Sequence, residues 1–486
     1  VPNEPRLRRL RSLVVVAACV FSTTMIVAAT TPITDPDGWW VAAAGRAMLA
    51  THAVPRANVF SFVEPAHAWI MHEWLLGPLY ALGLEHVGPS VFAAMAVALQ
   101  AAALAAIVGG TVGRARQGAA GVAMALLAIV FFGGRFLVAR PTSVALLFPI
   151  ALALVAFGRR FTPTSLLATS LIELAWTNTH GSFPLGVVLL LVAAVERRRD
   201  RSLRLAAACV AALATLVNPY GLALHRFVWG YFAGTDGIYR AINANIQEFG
   251  PLTRAWGGAV GVVNVVGLAL FAALALSALR TRVYRVRALF CLALFALALL
   301  HARHLELAGL LGCLLLLPHA DDLCARFLAA RTTTPEWRRS VTRALVVLPC
   351  VLGVVAFAIA RHRRSPEAWV ARGAGLVRSI DAVPDGANAF VPFAAAGVAI
   401  WYGAPRGVRV FFDSRNDCYS ASTLEAFWAL ETRATLPAAR RAALDTAGVD
   451  TALVQATHPL ASFLAGDPAW RLAREDGAWL TYRRAR

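Results

Sequence analysis

What most constrains this chain is a succession of apolar runs, with small clusters of arginines at every second connection between them. Runs at 11–31, 90–112, 118–133, 142–157, 164–178, 183–195, 203–217, 259–279, 286–301, 304–318 and 342–360 read as about eleven membrane-spanning helices. Several are shorter than the roughly 20 residues that a perpendicular span needs, which tilt, a thinned bilayer or a cavity accommodates. Composition agrees: 58% of residues are hydrophobic, 15% are charged and the mean hydropathy is +0.62. So large an apolar excess over 486 residues does not fit inside one soluble core, and a bilayer is the fitting solvent.

The arginines orient the spans. Arg6, Arg8, Arg9 and Arg11 place the N-terminus in the cytoplasm, and the first run, Leu13 to Ala29, reads as a retained signal-anchor. Alternating the spans then puts Arg114 and Arg116, Arg159 and Arg160, the run from Arg197 to Arg204, the run from Arg280 to Arg287, and Arg326 to Arg343 inside. Arg361, Arg363 and Arg364 are the one exception. The formal charge of +19 is therefore a topology signal, and nucleic acid is not an expected partner. Every basic residue is arginine, and the seven cysteines are scattered without a metal-like or disulfide-like spacing.

This frame divides the chain in two. Residues 1–364 form an α-helical polytopic membrane domain with two long outer loops, about 32–89 and about 218–257. Residues 365–486 read as a small extracytoplasmic α/β domain. Ala387–Val391, Val408–Phe412, Thr451–Val454 and a terminal pair near Trp470–Leu472 and Trp479–Tyr482 read as its strands, and Ser420–Arg433 and Pro437–Ala447 as its helices.

The polar residues fall on the outer side. The first outer loop carries Asp35-Pro36-Asp37-Gly38-Trp39-Trp40, then Gly45-Arg46, and later His72-Glu73-Trp74. Carboxylates at the mouth of a bilayer cavity suit a general base or a metal ligand, and tryptophans favour the membrane interface. Asp-Pro-Asp-Gly is equally good turn and helix-capping sequence. Other outer ends bring Arg135, Arg140, Asn178, His180, Glu248, His301, Arg303 and His304. Ionisable groups at membrane depth tend to mark sites, and the cations suit a phosphate or pyrophosphate. Taken singly, each also has a bland use as a snorkelling or turn residue. Asp413-Ser414-Arg415-Asn416-Asp417 follows a strand, where it is either a ligand loop or a hydrogen-bonded brace.

The order of these motifs resembles bacterial membrane proteins of the GT-C glycosyltransferase superfamily, kin of the protein O-mannosyltransferases and the lipid A aminoarabinose transferases. The likeness rests on Asp35-x-Asp37-x-Trp39-Trp40, Gly45-Arg46, Phe60-Ser61-Phe62, His72-Glu73-Trp74, Arg140-Pro141, Trp176 to Gly181, Asn218-Pro219-Tyr220-Gly221 and Phe411 to Arg415. It spans nearly the whole chain. It implies a bacterial inner-membrane transferase that takes sugar from a polyprenyl-phosphate donor at the extracytoplasmic face and passes it to a lipid, glycan or protein acceptor. The base role falls on Asp35 or Asp37, with Trp39, Trp40, Arg46, His72, Glu73, Arg135, Arg140, Asn178, His180, Glu248, His301, Arg303 and His304 around the substrates.

Relatives often carry histidine after the paired tryptophans, where Val41 stands here. That departure keeps open a non-catalytic assembly or binding subunit. A transporter or flippase of a lipid-linked substrate is the other alternative, although no internal inverted repeat is evident. Two aspartates admit a divalent metal, and nothing in the sequence fixes its other ligands.

Overall fold

A computed structural model of the chain describes residues 35–92, 140–234, 237–255, 258–328, 375–432 and 435–485, with a few single positions besides. The expected spans 11–31 and 342–360, and most of 90–112 and 118–133, lie outside the described residues, as does Arg135.

Helix α1 (Asp37–Thr51) and α2 (Leu76–His86) occupy the first outer segment, where the sequence suggests a loop. They cross in tight contact at two glycines: a Cβ on Gly45 would stand 1.9 Å from the Gly77 carbonyl oxygen, so only glycine permits this approach. Next come α3 (Pro141–Ala145), α4 (Leu147–Ala156), α5 (Pro163–Thr177), α6 (Pro184–Glu196) and α7 (Arg201–Ala214). Pro141, Pro163 and Pro184 begin their helices, where the missing N–H would have no partner in any case. Thr162 and Ser165 form a reciprocal capping box on α5. The chain continues through α8 (Leu222–Ala233), α9 (Gly237–Asn245), α10 (Leu252–Ala255), α11 (Gly258–Leu279), α12 (Arg285–Leu300) and α13 (Leu305–Leu328). Short 3-10 turns at Gln247–Phe249 and Ala302–His304 lead from α9 into α10 and from α12 into α13.

These helices match the apolar runs wherever the runs fall on described residues. Among the described residues, however, no helix is long and apolar enough to cross a membrane, so the expected count of eleven spans is not established. Two of the orienting arginines also do structural work. Arg204 is buried and donates to the carbonyls of Ala156, Gly158 and Arg199, satisfying acceptors at the end of α4. Arg287 is buried in an ion pair with Glu196.

The C-terminal unit holds α14 (Leu376–Asp381), β1 (Asn388–Phe390), α15 (Phe393–Gly403), β2 (Arg409–Val410), α16 (Ala421–Glu431), α17 (Pro437–Ala447), β3 (Thr451–Gln455), α18 (Pro459–Gly466), β4 (Trp470–Asp476) and β5 (Trp479–Arg484). The sheet order is β2-β1-β3-β5-β4. β1 runs parallel to β2 and β3, while β5 is antiparallel to β3 and β4. The strands lie where the alternation and apolar runs placed them. α15 lacks a helical signature in the sequence, because Phe-Ala-Ala-Ala-Gly-Val-Ala-Ile-Trp-Tyr-Gly is buried on nearly all sides and shows no amphipathic period.

This unit does not keep a separate core. One apolar cluster runs from Trp39 through Phe60, Trp69 and Tyr220 to Phe412, Phe427 and Tyr482. The outer loop even extends the sheet: Ser61 bridges Val410 in parallel, and Val410 N donates to the Phe60 carbonyl at 2.9 Å. A Cβ on Gly397 of α15 would lie 2.1 Å from the Pro36 carbonyl oxygen. The C-terminal unit therefore rests directly on the turn that carries Asp35 and Asp37. A second cluster packs α4, α6, α7 and α11–α13 together.

Candidate functional site

Asp35 and Asp37 flank the start of α1. Asp35 Oδ1 accepts the Asp37 N–H at 2.9 Å, an Asx turn that bends the chain into the helix. Asp37 Oδ1 accepts from the Trp40 indole at 3.2 Å. The turn chemistry and the site chemistry thus use different oxygens of the same carboxyls. The second oxygens meet Arg140, which stands just ahead of α3: Nε lies 2.7 Å from Asp35 Oδ2 and Nη2 lies 3.3 Å from Asp37 Oδ2. Arg140 Nη1 donates to Glu248 Oε2 at 3.0 Å, so three segments far apart in sequence are tied to one guanidinium.

Burial lifts Asp35 to about 7, with Asp37 and Glu248 adding repulsion and Arg140 opposing. Burial also raises Asp37, against the pull of Arg140 and the nearby Ser414 hydroxyl, while Glu73 pushes it further up. Two carboxyls that share one cation cannot both ionise as readily as they would in water.

Beside this cluster sit His72 and Glu73, carried between the first loop and α2. His72 Nε2 lies 3.3 Å from Glu73 Oε1. Burial opposes charging the imidazole, yet the Glu73 carboxylate and a backbone carbonyl raise it to about 9. Glu73 Oε2 is buried with no hydrogen-bond partner. The His72 and His180 rings are 5.9 Å apart. Burial, and then repulsion from His72, lower His180 to about 3. Its Nδ1 accepts the Ser182 N–H at 3.1 Å, which leaves the ring proton on Nε2 as a donor. The charges of Arg303 and Arg140 both reach His180.

The third part is the joint after α12. His301 Nδ1 pairs with the Phe249 carbonyl at 2.6 Å, Ala302 N donates to the Gly250 carbonyl at 3.0 Å, and Arg303 stacks on the Phe249 ring at 4.1 Å. Phe249 neighbours Glu248, so the joint and the Arg140 cluster share one support. His304 follows in the same turn.

Sequence reasoning does not single out two contributors, Asp417 and Tyr231. The Tyr231 hydroxyl donates to Asp417 Oδ1 at 3.1 Å. Burial raises Asp417 to about 7, against the attraction of His72. Within the run Asp413 to Asp417 the brace is formed, and Asp417 stands apart from it, bonded to Tyr231. Asp413 and Arg415 are the brace: their side chains are fully buried, Arg415 Nη2 to Asp413 Oδ2 is 2.6 Å, and Arg415 also donates to Asn58 Oδ1 at 2.7 Å. Asn416 adopts a left-handed backbone at φ 42°, which asparagine tolerates well, and the next residue, Asp417, faces His72. An acidic run after a strand is the available signal; which of its carboxyls faces the site is not readable from it.

Other expected residues are used in packing. Trp39 is fully buried against Phe92 and Tyr402, and Trp40 is 5% exposed against Trp69, so both rings are packed inside the protein. Arg46 stacks on Trp401 at 3.4 Å and pairs with Glu85 at 2.9 Å. The Asn178 amide accepts from the Trp74 indole at 2.8 Å and donates to the Leu174 and Val217 carbonyls, which fastens α2, α5 and α7 near their ends. Val41 is fully buried in the apolar core. Among the described residues, no group of three or more His, Cys, Asp or Glu is arranged to hold a metal ion. The acidic oxygens that would have to supply one converge on Arg140 instead.

No family model and no curated protein sequence matches the chain. Solved structures do. ArnT from Cupriavidus metallidurans bound to undecaprenyl phosphate aligns at a TM-score of 0.53 with 16% identity, over 97% of each chain. The apo state of the same protein gives 0.53 with 14% identity, over 97% of this chain and 98% of that one. The Archaeoglobus fulgidus oligosaccharyltransferase in its apo form gives 0.53 with 13% identity, over 92% of this chain and 69% of that one. At such identities the likeness establishes the fold alone: the chain folds like ArnT and like the oligosaccharyltransferase, in agreement with the resemblance that the motif order suggested.

Proposed function

We propose that this chain is an extracytoplasmic-face membrane glycosyltransferase that moves a sugar from a polyprenyl-phosphate carrier to an acceptor nucleophile. The observation that carries this reading is the two-ended site. Carboxyls gather around Arg140 at one end, and the His180 N–H with Arg303 stands at the other. The acceptor hydroxyl attacks the anomeric carbon, its proton passes to a carboxylate, and the carbon–oxygen bond to phosphate breaks with both electrons leaving on the phosphate. Of the two aspartates, Asp37 is the better base, since its contact with Arg140 at 3.3 Å is looser than the 2.7 Å contact of Asp35. A carboxyl whose pKa is raised toward neutrality accepts a proton more readily. The departing phosphate is already a stable anion and needs little protonation; Arg303 and the His180 N–H supply charge and hydrogen bonds to its oxygens.

Membrane placement draws support from the helices, which leave large apolar side chains exposed, among them Leu167, Leu171, Leu191, Leu213, Leu270 and Leu289. Such a spread of exposed leucine belongs against lipid tails. Undecaprenyl phosphate is bound to ArnT in one of the aligned structures, and the same ligand class suits the cationic end here. The non-catalytic alternative rested on Val41. That position faces the apolar core, so the departure removes no side chain from the site.

The test is mass spectrometry of lipid that co-purifies with the protein, together with transfer assays on Asp37→Asn. A polyprenyl-phosphate sugar in the wild-type sample, and a rate loss of about 10²–10⁴-fold in the folded variant, are expected. A folded Asp37→Asn protein with unchanged transfer would overturn the base assignment.

A further inference from the structure

Arg140 meets its three carboxylates in an ordered way. Each guanidinium nitrogen faces a different partner: Nε faces Asp35, Nη2 faces Asp37 and Nη1 faces Glu248, at 2.7, 3.3 and 3.0 Å. The inner oxygens of the two aspartates are also engaged, by the Asp37 N–H and the Trp40 indole. Three carboxylate oxygens, two from one turn and one from a distant segment, bring concentrated negative charge to one spot, although among the described residues they are not arranged as a metal-ligand set. Here the spot holds a planar cation that the chain supplies itself, with five fixed donors and a charge it does not lose.

We infer that Arg140 is the resident cation of this site, its three nitrogens matched one each to Asp35, Asp37 and Glu248, so that it supplies the countercharge a divalent metal would bring and the chain works without such a metal. A guanidinium and a metal ion differ in what they leave to the carboxylates. A divalent ion coordinates oxygen lone pairs at about 2.0–2.6 Å and makes those oxygens poor bases. The arginine holds Asp37 and Glu248 through N–H donors and Asp35 by charge at 2.7 Å, neutralises part of their mutual repulsion, and leaves Asp37 able to take a proton. The catalytic half of this inference rests on the transferase reading. The binding half does not, because it concerns only which cation the three carboxylates hold.

Manganese is the probe, because bound Mn²⁺ loses the six-line electron paramagnetic resonance signal of the free ion. The full-length wild-type protein in detergent is expected to leave that signal unchanged. Arg140→Gln, which removes the cation and keeps all three carboxylates, is expected to gain one Mn²⁺ site per chain, and the pair Arg140→Gln with Asp37→Asn to lose it again. In parallel, chelator-washed wild-type membranes are expected to keep their full transfer rate. Stoichiometric Mn²⁺ binding by the wild type that disappears in Asp37→Asn would overturn the inference, as would transfer that stops with chelator and returns with Mn²⁺. A folded Arg140→Gln that gains no site would overturn it too. Should that variant fail to fold, the two wild-type measurements decide alone. If no transfer is detected in any membrane, the transferase reading fails while the manganese result still decides the binding half.

Discussion

Asp417 shows how one carboxyl couples the site to the stability of the fold. Burial holds it near 7 in the folded chain, above an ordinary value of 3.8. The folded state therefore keeps its proton over a window in which the unfolded chain has lost it. This contribution to stability is fully present below the unfolded value and fades as pH rises through about 7. Thermal unfolding of the detergent-solubilised protein should thus show a midpoint that falls between about pH 4 and pH 7. Asp417→Asn, a permanent mimic of the neutral carboxyl, should flatten that fall; an unchanged slope would remove Asp417 from the account. Transfer is expected to move the other way, rising with pH, since its base must be ionised and burial raises Asp37 above the ordinary carboxylate range. His72 and Glu73 favour each other's charged forms and hold a fixed ion pair between the two ends of the site.

Elements are joined mainly through the first outer segment. Asn58 accepts from Arg415 and donates to the Cys418 carbonyl, Ser61 bridges β2, and Glu64 accepts from Ser420. A strand edge that would otherwise be open is thereby covered, and the same clamp pins the middle of the segment whose two ends supply Asp35, Asp37, His72 and Glu73. Arg415 is central to it, stacking on Trp69 at 4.7 Å while it pairs with Asp413. Arg415→Ala would leave the Asp413 carboxylate buried without its cation, a loss of about 3–5 kcal/mol. The expected outcome is a lower unfolding midpoint together with faster proteolysis between α1 and α2. A variant as stable and as protease-resistant as the wild type would show that the clamp does not hold the loop. The closeness of α1 and α2, set by Gly45 against Gly77, gives that clamp a rigid base.

Over the whole molecule, two apolar clusters divide the work, one binding the outer segment to the C-terminal sheet and the other holding the helices together. The transferase reading requires the first of these to lie outside the cytoplasm. Single cysteines in a background with all seven native cysteines replaced by serine or alanine test this with a membrane-impermeant maleimide. Ala66→Cys, on the exposed outer segment, should label in intact cells. Val283→Cys, 66% exposed between α11 and α12, should label only after permeabilisation. The reverse pattern would place Asp37 in the cytosol and remove the proposed function.

The sequence by itself determined the strands and most of the helices, though not such helices as α1, α2 or α15, and it carried the motif order that suggested the fold found. Those arise from local periodicity, from prolines that start helices and from motif order, all of which depend on near neighbours along the chain. It also put Asp35, Asp37, His72, His180 and Arg303 forward as candidates, because polar groups stand out against apolar runs. Only the tertiary structure decided which of them meet. Arg140 lies more than a hundred residues from both Asp37 and Glu248, and no local pattern records that three carboxylates will close on one guanidinium. The same holds for Trp39, Arg46 and Asn178, whose chemistry fits a ligand as well as a brace. Packing against Phe92, Trp401 and Trp74 made them braces, since a side chain's role is set by what long-range folding places beside it.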